Sequence, residues 1–148
     1  MKKLILGLAI GIFFLMGSMA FGGDATVTSD IITGDKKTRV LILSCVGNIS
    51  NTDLDSTNLS KSLVGWFPWE IIVTNVAATT VTDDSDVYLK DSGARDLLLA
   101  KGVDQLDNTT SNHVDIHSSN PIAGTPYLDV DNQAEAAGAY TITITFVK

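Results

Sequence analysis

The two histidines of the chain lie close together with an aspartate between them, in the order His113, Asp115, His117. Imidazole nitrogens and carboxylate oxygens are ligands of zinc and of other transition metals. On a β-strand the three side chains would project to one face, because successive residues alternate between faces. Three neighbouring positions on one strand rarely converge on a single ion, so we favour a solvated polar face over a metal site.

Two aspartate-rich stretches have the composition of calcium-binding loops. One contains Asp83, Asp84 and Asp86, and the other contains Asp129 and Asp131. Carboxylates are calcium ligands, but neither stretch has the glycine and the distal glutamate of an EF-hand loop. Aspartate is also a common turn residue. These five aspartates are therefore candidate calcium ligands, with turn formation as the alternative, and no other cofactor is expected.

The segment GWFPWE, residues 65–70, contains both tryptophans of the chain. Aromatic side chains on a surface often contact a sugar or a protein. Trp66, Phe67 and Trp69 are therefore candidate partner-binding residues.

Pro68 divides this aromatic segment. A proline cannot donate to a β-ladder, so it predicts a sheet edge, a strand start or a bulge. On a regular strand Trp66 and Trp69 would face opposite sides, because their separation is odd. Large aromatic side chains are mostly buried. We expect Trp69, Ile71 and Val73 to line the core and Trp66 to cover its rim.

Residues that could support catalysis are few and scattered. Cys45 is the single cysteine and lies in an apolar run, which is typical of a buried thiol. Glu70 and Glu135 are the only glutamates, and no local pattern pairs a general acid with a nucleophile. Serine-nucleophile and phosphate-binding glycine motifs are absent. The sequence therefore predicts that the protein is not an enzyme.

Most of the chain is a series of short stretches rich in β-branched and aromatic residues, separated by turn residues. This pattern predicts an all-β fold, an antiparallel β-sandwich of about seven or eight strands. Residues 47–60 are rich in turn formers and predict an irregular connection or a weak edge hairpin. The predicted strand segments are 25–33, 37–46, 61–67, 69–76, 87–91, 113–117, 125–132 and 139–148.

One window, residues 92–108, differs from the strand pattern. It contains several good helix formers between Gly93 and Gly102. We therefore expect one short helical segment of at most two or three turns there.

The first residues have the order of a secretory signal peptide. Lys2 and Lys3 precede an uncharged, mostly apolar run over 4–16, and small residues follow over 17–22. The apolar run is shorter than the roughly 18 residues expected of a spanning helix. We predict a signal peptide over 1–22 and export from a bacterial-type cell, to the periplasm, the exterior or a virion.

The rest of the chain, 23–148, has the size of a single domain. Signal cleavage fits equally well after Ala20 or after Gly22. The chain has 10 Lys and Arg against 17 Asp and Glu, and loss of Lys2 and Lys3 changes the net charge from −7 to −9. Such a charge repels polyanions, so we expect no nucleic-acid partner and no membrane contact after cleavage.

The stretch IIVTNVAATTVTDDSDVYLKDSGARDLL resembles a set of small phage and prophage virion-associated proteins. In these a strand ending in threonine leads through a Thr-Asp loop into an Asp-Val or Asp-Ile strand and an Asp-x-x-G-x-Asp turn. The final TPYLDVDNQAEAAGAYTITITFV is similar to their closing hairpin. The matching residues of the first stretch are Thr74, Thr82, Asp83, Asp86, Val87, Asp91, Gly93 and Asp96. The resemblance implies a non-enzymatic β-sandwich that attaches to a virion or forms part of one.

Two functions remain open from the sequence. The first is a structural protein, exported or virion-associated, that packs against copies of itself or onto a larger particle. The second is a secreted binding module whose aromatic residues contact a glycan or a cell surface, assisted by calcium in the aspartate stretches.

Overall fold

The computed structural model describes residues 24–47, 49–54, 59–76, 85–106, 111–131 and 138–148. The fold is all-β, as predicted, and its strands form two antiparallel sheets packed as a sandwich. The predicted signal peptide and its cleavage site lie outside the described residues. The strands are β1 (Asp24–Ile32), β2 (Thr38–Val46), β3 (Ile49–Asp53), β4 (Phe67–Asn75), β5 (Asp86–Lys90), β6 (Ser111–Asp115), β7 (Tyr127–Asp131) and β8 (Ala139–Val147).

The larger sheet has five strands in the order β1-β2-β8-β4-β6, and the smaller has three in the order β3-β7-β5. β8 is the central strand of the larger sheet and pairs with β2 on one side and β4 on the other. Its alternation of threonine with Tyr140, Ile142, Ile144 and Phe146 is the half-buried pattern predicted from the sequence. β6 forms one edge of this sheet, and β3 is an edge strand of the smaller sheet within the connection predicted as irregular.

The core lies between the two sheets. Inward side chains of the larger sheet include Leu41, Leu43 and Cys45 of β2, all fully buried. Leu89 and Leu128 of the smaller sheet face them and are equally buried. Cys45 is thus a core residue, as expected from its apolar strand.

Arg39 occupies an inward position of β2, directly before its apolar run, and is completely buried although it is charged. Its guanidinium binds both carboxylate oxygens of Asp30 on β1, at 2.8 and 2.9 Å. It also donates to the carbonyls of Lys61 and Ser62, at 2.7 and 3.1 Å. Asp30 in turn accepts hydrogen bonds from the amide and hydroxyl of Ser60. One buried ion pair therefore ties the β1–β2 hairpin to the segment that precedes β4.

The helix expected within 92–108 does not form in the part that is described, and no described residue lies in a helix. Ala94, Leu99, Ala100 and Asp104 have positive φ angles, which a right-handed helix does not permit. The segment instead pairs with β5: the amide of Leu97 donates to Leu89 at 2.7 Å. Helix propensity is overridden here by this pairing and by burial of the leucines. No helix among the described residues is long and apolar enough to cross a membrane.

The prediction of a strand over 61–67 is also wrong, because only its last residue, Phe67, belongs to a strand, β4. Leu63 to Trp66 form a tight turn closed by the Trp66 amide and the Leu63 carbonyl at 3.0 Å. Gly65 has φ of 81° at the third position, as a type II turn requires. The chain thus enters β4 from a turn rather than from a strand.

The buried ion pair predicts a loss of stability in acid. Burial alone would raise the pKa of Asp30, but hydrogen bonds from Arg39 and Ser60 and the charge of Arg39 lower this pKa from 3.8 to about 2. A carboxylate with a lowered pKa stabilises the fold above its unfolded pKa and loses that contribution as pH falls. Chemical unfolding should show the free energy of unfolding falling by about 2 kcal/mol between pH about 4 and 2 through this group.

The matched variants are Asp30→Asn and Asp35→Asn, the latter on an exposed carboxylate of the same hairpin. Asp30→Asn leaves Arg39 buried without its counter-ion and should cost about 3–5 kcal/mol at neutral pH. Asp35→Asn should cost much less. Equal losses for the two variants would contradict the assigned role of the Asp30–Arg39 pair.

Candidate functional site

β4 begins with a bulge at Pro68. Pro68 pairs with Phe146 of β8, whereas the next pair is Glu70 with Thr145, so Trp69 is one residue in excess. The sequence predicted a sheet edge, a strand start or a bulge at Pro68, and the structure has the bulge near the start of β4. Because Pro68 has no amide hydrogen, the interruption of the ladder falls where a donor is missing anyway.

The bulge reverses the expected places of the two tryptophans. Pro68 takes the inward position and is buried, whereas Trp69 is 40% exposed. Trp66, expected at the rim, is only 6% exposed and belongs to the core. The extra residue shifts the alternation of β4 by one, so Trp69 leaves the face occupied by Ile71 and Val73. Those two residues do line the core as expected.

Trp66 packs between two cationic groups. The Arg39 guanidinium lies 6.0 Å and the Lys148 ammonium 5.6 Å from the centre of its ring, within the range of cation–π attraction. Beside the ring is an open cleft of about 210 Å³, which Lys36 and Lys61 also line. Trp66 is therefore part of the floor of a basic cleft rather than an exposed contact residue. Phe67 is half-buried.

The carbonyl groups of the bulge accept hydrogen bonds from the residues that follow β6. The Trp69 carbonyl accepts from the amides of Ile116 and His117, at 2.8 and 3.0 Å. The Pro68 carbonyl accepts from Ser118 at 2.9 Å. These bonds hold His117 in the left-handed region, with φ of 50°. Its imidazole stacks on Trp69 with ring centres 4.0 Å apart.

Four ionisable side chains meet on the surface next to this stack. Glu70 of β4 is the register partner of Asp115 of β6. His113 Nε2 lies 3.3 Å from Glu70 Oε2 and 3.7 Å from Asp115 Oδ1. His117 Nε2 approaches the same Asp115 oxygen, at 3.9 Å. We refer to these four residues as the edge cluster.

Neighbouring groups orient members of the edge cluster. Thr145 of β8 donates a hydrogen bond to Glu70 Oε1 at 3.0 Å, leaving Oε2 directed at His113. Lys101 donates to the Asp115 carbonyl at 2.6 Å and so fixes the end of β6. We predicted a solvated polar face for the H-x-D-x-H residues. The structure adds to this face the carboxylate of Glu70, from the adjacent strand.

The aspartates proposed as calcium ligands are only partly described. Asp83 and Asp84 lie outside the described residues. Asp86 and Asp131 face each other as register partners on β5 and β7. Asp129 accepts a hydrogen bond from the Lys90 ammonium at 2.6 Å, and this contact raises the pKa of Lys90. Calcium binding at this sheet stays a prediction.

Within the described part of the chain, the residues whose metal-ligating atoms all lie within 4.8 Å of one another are Glu70, His113 and Asp115. The sequence pattern identified His113 and Asp115 but not Glu70, which is 43 positions before His113 by residue number. The pairing of β4 with β6 that joins them is non-local. The alternation with Ile71 and Val73 puts Glu70 on the outer face, but no local signal shows that β6 lies beside it.

Comparison with known proteins gives no relative. No protein-family model, no curated protein and no solved structure matches the chain.

The different exposure of the two tryptophans predicts their fluorescence. Acrylamide should quench Trp69 readily and Trp66 weakly, because only Trp69 is substantially exposed. Trp69→Phe should therefore remove most of the quenchable emission, and Trp66→Phe should remove mainly the protected emission. Equal quenching of the two single-tryptophan variants would contradict the bulge geometry.

Proposed function

We propose that the protein is a non-enzymatic structural protein, exported or virion-associated, that packs through the outer face of its five-stranded sheet onto a second copy of itself. The observation that carries this proposal is the chemistry of that face. On β2 and β8 its positions hold only apolar, serine and threonine side chains: Thr38, Val40, Ile42, Ser44, Val46, Ala139, Thr141, Thr143, Thr145 and Val147.

The centre of the face is a continuous row across three strands. Thr143 of β8 pairs with Ile42 of β2 and with Ile72 of β4. All three are half-buried, without a covering layer among the described residues. Depletion of charged residues is the compositional mark of the centre of a protein interface. Outer faces of solvated antiparallel sheets are instead usually polar.

The size of the face fits a dimer. Without the edge strand β6, the four strands β1, β2, β8 and β4 are each nine residues long and about 4.8 Å apart, and they span about 500 Å². Two copies would bury about 1,000 Å² in total, which is at the lower limit of biological interfaces.

The net charge favours this face over others for self-association. The whole chain carries a net charge of −7, so most contacts between copies would bring acidic groups together. Packing along the neutral rows of β2 and β8 keeps those groups apart. A two-fold axis would place the same face on both copies, which is the commonest arrangement in homodimers.

A larger particle is the proposed setting of this dimer. The resemblance to phage virion-associated proteins supports a particle as the setting, and the signal-like first residues support export. The sequence has no motif that pairs a nucleophile with a base, which supports a role without catalysis.

A charge placed at the centre of the face should dissociate the copies. Thr143→Lys puts an ammonium group between Ile42 and Ile72 in the proposed interface, where burying a charge is costly. We expect the wild-type chain to sediment as a dimer or larger species at micromolar concentration in the presence of a chelator, and the variant as a monomer. Thermal unfolding of the monomeric variant should remain cooperative, because position 143 does not contact the core.

Ser119→Lys provides the matched control, since it adds the same charge to an exposed loop residue. It should leave the oligomeric state unchanged. A wild-type chain that is monomeric over the whole concentration range and does not associate with particles would overturn the proposal.

A further inference from the structure

We propose that three residues of the edge cluster, Glu70, His113 and Asp115, bind one divalent transition-metal ion of the zinc class on the surface of the sheet, with His117 next to it. This inference does not depend on the proposed self-association. It concerns the margin of the larger sheet, where β4 and β6 pair, and not the neutral centre of the outer face.

The distances within the edge cluster match those between ligands of one ion. Zinc binds imidazole nitrogen and carboxylate oxygen at about 2.0–2.2 Å, so two ligands of a tetrahedral site lie about 3.3–3.6 Å apart. His113 Nε2 is 3.3 Å from Glu70 Oε2. Asp115 Oδ1 is 3.7 Å from His113 Nε2 and 3.9 Å from His117 Nε2. The ligand atoms of Glu70, His113 and Asp115 all lie within 4.8 Å of one another, so side-chain movements of about 1 Å would bring the three around one ion.

The ligand set selects the class of metal. An imidazole together with two carboxylates suits zinc and its neighbours, whereas calcium and magnesium require oxygen ligands. Two ionised carboxylates carry two negative charges, which a divalent cation neutralises. The ion would therefore reduce the repulsion between the carboxylates of Glu70 and Asp115, which pair directly across the two strands.

Supporting contacts of the kind that orient metal ligands are present. A ligating carboxylate is usually hydrogen-bonded through its other oxygen, and Glu70 accepts the Thr145 hydroxyl in that way. His117 is held by stacking on Trp69 and by the hydrogen bond that its backbone amide donates to the Trp69 carbonyl. Asp115 is held at the end of β6 by the bond from Lys101 to its carbonyl.

The site is open to solvent. The side chains of His113 and Asp115 are 57% and 66% exposed, whereas that of Glu70 is 29% exposed. An ion can enter without movement of the sheet. Water, or a ligand atom from a docked partner, can occupy a further coordination position.

The test uses the chain without its signal segment and without a histidine tag, titrated with Zn²⁺ by calorimetry and with Co²⁺ by visible absorption. We expect one ion per chain and Co²⁺ bands of low-symmetry nitrogen and oxygen coordination. Co²⁺ should also quench Trp69 emission, because this ring stacks on His117, which lies next to Asp115. In Trp69→Phe the quenching should disappear while the Co²⁺ bands remain.

Variants separate the edge cluster from non-specific acidic binding. His113→Gln and Glu70→Gln should each lower the Zn²⁺ affinity at least about 10-fold, and Thr145→Val should lower it about 10-fold by releasing Glu70. Asp129→Asn, which removes a carboxylate of the other sheet, is the matched control and should leave the affinity unchanged. Circular dichroism of each variant verifies that the fold is intact.

Two results would overturn the inference. One is the absence of Zn²⁺ binding up to about 1 mM, because a titration to that concentration detects any binding stronger than about 4 kcal/mol. The other is binding that His113→Gln leaves unchanged but Asp129→Asn weakens, which would place the ion on the smaller sheet.

Discussion

The bulge at Pro68 and Trp69 is the constraint on which the surface of this protein depends. Proline cannot donate to the ladder, so β4 pairs with β8 in one register before the bulge and in another after it. After the bulge, Ile71 and Val73 face inward and Glu70 faces outward opposite Asp115. A regular strand would instead continue the alternation and direct Trp69 into the core.

A second anchor determines how the chain reaches that bulge. Arg39 is fully buried and binds Asp30 together with the carbonyls of Lys61 and Ser62. These bonds hold the segment just before the type II turn at Gly65. The turn then delivers Trp66 to the core. Breaking such a buried pair is costly because the remaining charge loses its partner in a low-dielectric site.

Much of the fold was predictable from residue patterns that act locally. The alternation in β8 and the apolar run of β2 gave the strands and their buried faces, because side chains alternate with a period of two. Helix propensity gave a wrong prediction at 92–108. The segment pairs with β5 instead, and the positive φ angles of Leu99 and Ala100 are incompatible with a right-handed helix. The turn before β4 was likewise misassigned as a strand.

The site was less predictable, since it depends on the register between distant strands. The spacing of His113, Asp115 and His117 indicated a shared face, and Pro68 indicated a bulge among its alternatives. Neither signal alone places Glu70 beside His113. That juxtaposition requires the pairing of β4 with β6. Similarly, Arg39 stands in the sequence directly before the apolar run of β2, and only its pairing with Asp30 explains its burial.

The claim that the pairing of β4 with β6 after the Pro68 bulge forms a cation site is tested most directly by anomalous diffraction at the zinc absorption edge, from crystals of the chain grown with Zn²⁺. The structure predicts one anomalous peak about 2.0–2.2 Å from Glu70 Oε2, His113 Nε2 and Asp115 Oδ1, with His117 adjacent. A peak among Asp86, Asp129 and Asp131, or a regular β4 that buries Trp69, would contradict it.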